Sequence, residues 1–125
     1  MVARGALADI TNVTGSTMTA TNGYPFNSSN YAAIVFQTGT SSTVIDSVSV
    51  ALTGLPSAGS GTFTMELWNA SSGVPTSVVA SVSSLTGNYD AYPFSTVNTY
   101  SAGSLGAIAT TTLSPNTQYL SLIHI

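Results

Sequence analysis

The chain has 125 residues and a mass of 12.7 kDa, with 43% hydrophobic residues, 4% charged residues and no cysteine. That size and apolar content suit one packed domain rather than a disordered chain. Arg4 is the only Lys or Arg, set against Asp9, Asp46, Glu66 and Asp90 for a formal charge of -3, which excludes the clustered cations that nucleic acid or anionic lipid requires.

The lack of cysteine also removes disulfides, thiolate nucleophiles and cysteine-bound metals. No apolar run approaches about eighteen residues, so no membrane insertion is expected in this segment. Ser and Thr make up roughly three residues in ten. Solubility therefore rests on hydroxyls and amides, a balance that fits secreted or surface β-domains.

Taken in chain order, residues 7–13 and 17–21 read as strands, with Asn22-Gly23 as a turn and residues 24–30 as a loop. Residues 31–37 (YAAIVFQ) form a continuous apolar run, expected as a strand buried on both faces and ended by residues 38–42. Residues 44–53 alternate, with Val48, Val50 and Leu52 inward and Ser47, Ser49 and Ala51 outward. Asp46 would share the inward side, so the regular strand is expected to begin after it, with Ile45 at the core edge.

Residues 54–60 then connect to the central feature, residues 61–80 (GTFTMELWNASSGVPTSVVA). Phe63, Met65 and Leu67 point one way, while Thr62, Thr64, Glu66 and Trp68 point the other, a period of two that marks a half-buried strand. Turn-forming residues 69–75 predict a loop of about six or seven residues before a return strand over 77–82. Residues 85–93 read as a loop or short edge strand, 94–100 as a strand and 105–113 as another. Residues 114–117 turn into Gln118 and Tyr119.

No helical spacing of apolar residues is evident, so essentially no α-helix is expected. Roughly seven to nine short strands between turn signals predict an all-β chain, an antiparallel β-sandwich of jelly-roll type. Its core is expected to contain Phe36, Val48, Val50, Leu52, Phe63, Met65 and Leu67, with Glu66 exposed.

Several of these segments together resemble a known family. Phe36-Gln37-Thr38-Gly39 is similar to the F-x-T-G that closes an early strand in the choice-of-anchor R family of bacterial surface domains. Residues 48–52 resemble that family's next strand, and residues 63–67 with Ser72-Gly73-Val74-Pro75 resemble its strand and G-x-P loop. Leu113-Ser114-Pro115-Asn116-Thr117-Gln118-Tyr119 matches its L-x-x-N-T-x-Y. Thr76 stands where a glycine often follows the proline. The resemblance covers about residues 7–119 and implies a β-sandwich on exported proteins, without catalytic residues to carry over.

Residues 120–125 (LSLIHI) are what CTG TCT CTT ATA CAC ATC encodes, a string that looks like the transposon end used in sequencing-library preparation. Residues 1–119 are accordingly expected to form a single β-sandwich domain and residues 120–125 a non-native tail, leaving the domain short of its last native strand or strands.

Candidate chemistry is sparse. A Ser-His-Asp triad would have to use His124 and has no nucleophile elbow. Glycoside hydrolysis would need Glu66 paired with Asp46 or Asp90 across a cleft. Calcium could draw on Asp9 or Asp90, but no D-x-D-x-D-G spacing occurs. Asn12, Asn27 and Asn69 fit an N-glycosylation pattern that chance supplies in so polar a chain. Trp68 with Glu66 remains as a candidate ligand-binding pair, since an outward aromatic beside a carboxylate can stack on a sugar. The competing reading packs Trp68 under the 69–75 loop or against a second sheet.

The expectation is a non-catalytic structural or adhesion module of a bacterial surface or secreted protein, with no cofactor and no metal. Its partner would be a cell-surface or matrix polysaccharide or protein. A carbohydrate-binding module and a phage or virion fibre domain are the alternatives.

Overall fold

The computed structural model describes residues 2–4, 32–54, 58–91 and 96–124. The strands expected over 7–13 and 17–21 and the loop over 24–30 lie outside these residues, as do Asp9, Asn12 and Asn27. The described chain is mostly antiparallel β-structure, which bears out an all-β fold. Its strands are β1 (Val2–Arg4), β2 (Ala32–Gln37), β3 (Val44–Gly54), β4 (Gly59–Ser71), β5 (Val74–Ala91), β6 (Thr96–Ser101) and β7 (Gln118–His124). They hydrogen-bond in the order β1-β3-β5-β4-β7-β2, with β6 also on β3. β3 and β5 form the one parallel pair among them, meeting only at Thr53–Asp90 and Gly54–Ala91.

The β4–β5 hairpin is the longest ladder, pairing Gly59 with Tyr89 at one end and Ser71 with Val74 at the other. Its alternation is as the sequence predicts: Phe63, Met65 and Leu67 are buried, Leu67 to 1% exposure. The loop is not. Ser72 and Gly73 sit at φ 52 and 78, so the strands are joined by a two-residue turn of the kind that needs positive φ at both central positions. Residues 69–71 and 74–75 belong to the ladder, with Pro75 opposite Ala70 beside a register shift, where a missing N–H is tolerated. β5 also runs on through residues 85–91, where the sequence suggests a loop or short edge strand.

Bulges keep the inward faces in phase. Between Phe63 and Met65 the partner strand advances from Leu85 to Val82, and Ser84 takes φ 60 in the extra residue. Leu85, Val82 and Ala80 consequently all meet the core. On β3 the pairing steps from Val2–Ser47 to Ala3–Ile45, skipping Asp46. That bulge lets Ile45 and Val48 both be buried. The strand therefore starts at Val44, before Asp46 rather than after it.

Two further expectations are corrected. Residues 102–110 form two short helices, α1 (Ala102–Leu105) and α2 (Ala107–Thr110), separated by Gly106 at φ 51. Leu105 of α1 and Ile108 and Ala109 of α2 are buried, whereas residues 105–113 read as a strand in the sequence. β2 is not covered on both sides: Phe36 is buried, while Ala33, Ile34, Val35 and Gln37 are exposed. It ends the strand order among the described residues.

The core joins both halves of this order. Ile45, Val48, Leu52 and Tyr100 come from β3 and β6, and Phe36, Phe63, Met65, Leu67, Leu85 and Tyr119 from the other strands. Phe63 meets Tyr100 edge to face, with ring centroids 5.6 Å apart. Gly87 lies against Leu52 and Phe63 so closely that a Cβ there would displace the Leu52 side chain, which fits glycine at this close crossing. Side chains of β6 substitute for a ladder along β5. Asn98 accepts from the Asn88 N–H at 2.8 Å and donates to the Asn88 carbonyl at 2.7 Å. Tyr100 donates its hydroxyl to the Thr86 carbonyl at 2.9 Å.

Burial raises the Tyr100 phenol above its ordinary pKa. A raised folded-state value stabilises the fold below the unfolded pKa of about 10 and withdraws that stability as pH climbs through the folded value. Tyr100→Phe is expected to cost about 1 kcal/mol at neutral pH by urea unfolding. The variant should also lose less stability than the wild type between about pH 9 and 11.

Candidate functional site

Glu66 and Trp68 lie two residues apart on β4 and so share its outer face. The indole Nε1–H donates to Glu66 Oε2 at 2.8 Å. Glu66 Oε1 lies 3.6 Å from His124 Nε2, a contact that becomes an ion pair when the imidazole is protonated. The Glu66 and His124 side chains are 22% and 25% exposed, so Glu66 is half-buried, not exposed as its alternation predicts. A partner on each oxygen explains why a carboxylate tolerates that burial. With both groups partly in water, the pair adds little to stability. Trp68 is also half-buried.

The register fixes the neighbours. Trp68 stands between Val78 on β5 and Leu120 on β7, and Glu66 between Ser81 and Leu122. Val35 of β2 lies opposite Leu120. An apolar row, Val78-Trp68-Leu120-Val35, thus crosses four strands beside a row holding the carboxylate and a hydroxyl. Trp68 does not sit under a 69–75 loop, because those residues are strand and tight turn.

The other candidates are dispersed. Asp46 occupies the β3 bulge and Asp90 the β3–β5 junction, and neither strand position pairs with Glu66. The Asn69 amide donates to Ser77 Oγ at 3.1 Å within the hairpin. Among the described residues no cluster of three or more His, Asp or Glu could hold a metal ion.

A second constellation unites two segments that the sequence presents as separate motifs. Thr38, 4% exposed, donates its hydroxyl to the Ser114 carbonyl at 2.6 Å across 76 residues of chain. The same oxygen accepts the Thr117 N–H at 2.9 Å, while the Thr38 N–H donates to the Thr117 carbonyl at 3.0 Å. The Asn116 N–H donates to the Gly39 carbonyl at 2.8 Å, and Tyr119 Oη accepts the Ser114 N–H at 2.9 Å. Phe36 stacks on Tyr119 with centroids 5.9 Å apart. Asn116 makes the turn possible by taking φ 50, a conformation asparagine accepts more readily than most residues. F-Q-T-G and L-S-P-N-T-Q-Y therefore close on each other. No family model, curated protein or solved structure matches the chain.

Thr38→Val keeps the shape of the side chain but strands the Thr117 N–H and the Ser114 carbonyl. It is expected to lower unfolding stability by about 1–3 kcal/mol, measured by urea denaturation. Thr38→Ser, which restores the hydroxyl, should recover most of the loss.

Proposed function

We propose that the chain is a non-catalytic β-sandwich module of an exported bacterial surface protein, of the choice-of-anchor R kind, serving structure or adhesion. The observation that carries this reading is the joint around Thr38. Two of the motifs that carry the resemblance, 76 residues apart in the chain, close on each other where β2 meets β7, as expected of a family defined by its fold and not by a reaction.

The sandwich itself is supported by the way β3 and β6 face β4 and β5 through Phe63, Tyr100, Leu52 and Gly87. Surface chemistry agrees with an exported, non-catalytic role. Outward positions of β3 and β6 include Ser49 and Thr99, bonded to each other at 2.9 Å, beside the exposed Val97. Glu66, the carboxylate that hydrolytic chemistry would most need, is tied to an indole and an imidazole. The tail reading stands alongside: residues 120–124 make up most of β7, but Tyr119 before them already pairs with Phe36 of β2 and Asn69 of β4.

Recovering the longer reading frame from the source DNA by long-read sequencing tests this. The expected result is an export signal upstream and, in place of LSLIHI, native codons leading to a sorting or anchoring segment. Flanking phage tail genes, or a fused hydrolase domain, would contradict the structural reading. A frame continuing through LSLIHI would contradict the adapter origin of the tail.

A further inference from the structure

We infer that the outer face around Trp68 is a platform for a neutral polysaccharide, with a sugar ring stacked on the indole. This rests on the adhesion reading above and names the ligand class of its binding face.

Three observations converge. The indole is held before any ligand arrives, because its N–H is committed to Glu66 at 2.8 Å. An immobilised ring loses less entropy on binding than a mobile one. Next to it, Val78 is 50% exposed on the same face, and Val35, 38% exposed, continues the row two strands away. Beside Glu66 stands the exposed Ser81. An apolar surface bordered by a hydroxyl and a carboxylate matches a sugar ring, which presents C–H groups on its faces and hydroxyls at its edge.

Charge selects a neutral ligand. Glu66 and His124 face each other at 3.6 Å, and β5 contributes Ser81 and Val78 to this face, neither of them charged. An acidic polymer would find no cation here other than the imidazole already against Glu66. Four strands at the usual spacing span about 14 Å, room for a few sugar units across the row. Trp68, Glu66, Val78, Ser81 and Val35 all precede residue 120, while residues 120–124 contribute Leu120, buried to 4% between Trp68 and Val35, and His124 against Glu66.

Trp68 is the only tryptophan, which makes its emission a direct probe. The full chain would be run by affinity electrophoresis through native gels containing hydroxyethylcellulose, laminarin, xylan or galactomannan. At least one polymer should retard it, and the same polymer in solution should shift Trp68 emission to the blue and shield it from acrylamide. Trp68→Ala should weaken retention by about tenfold or more while unfolding cooperatively, in line with loss of a central aromatic anchor. Val78→Glu, a change at an exposed position that the fold should accept, should weaken retention too. No retardation and no emission change with any polymer would overturn the inference, as would a folded Trp68→Ala variant that binds normally. Either result leaves the flanking-sequence test of the adhesion module untouched.

Discussion

One buried hydroxyl ties the end of β2 to the turn that leads into its neighbour β7. Thr38 Oγ1 gives its proton to the Ser114 carbonyl and takes the Thr117 N–H, while the Thr38 backbone bonds Thr117 as well. Thr38 is 4% exposed, so leaving its hydroxyl without partners would cost about 1–3 kcal/mol. The turn is therefore held against the end of β2 in a single register, with Gln118 opposite Gln37 and Tyr119 opposite Phe36. Everything β7 does afterwards, pairing β2 on one side and β4 on the other, follows from that entry point.

The rest of the fold is a problem of keeping inward faces in phase over very long strands. A regular β5 of 18 residues would carry its apolar residues out of step with β4, since a shift of one residue turns every side chain to the opposite face. The bulges at Ser84 and farther toward the turn absorb the mismatch. The bulge at Asp46 does the same on β3, turning an apparent conflict between Ile45 and Val48 into two buried side chains. Near Thr86 and Asn88, where β5 has β4 on one side, Tyr100 and Asn98 of β6 bond its backbone as well.

What the sequence disclosed was local. Alternation over residues 62–68 specified a strand and its inward set, and Trp68 and Glu66 at i and i+2 were placed on one face. Turn composition over 69–75 could not separate a long loop from a two-residue turn with strand on either side, because Asn, Ser and Pro serve both. Small residues and threonines over 105–113 favour no element strongly, and burial of Leu105 and Ile108 chose helical turns. The apolar run 31–37 announced a strand but not how many of its faces are covered. His124 beside Glu66 was invisible for another reason: cross-strand neighbours depend on register, and β7's register is set by Thr38, far away in the chain.

One fixed indole and a carboxylate set against an imidazole share the outer face of β4, and the β7 strand that brings His124 there enters the sheet at the Thr38 joint. Native-state amide hydrogen exchange measures that joint most directly. The Thr38 and Thr117 amides should exchange only on global unfolding, as slowly as the amides of the β4–β5 ladder. Exchange of these two amides at the rate of an exposed turn, with the β4–β5 ladder still protected, would contradict the placing of this joint at the foundation of the sheet.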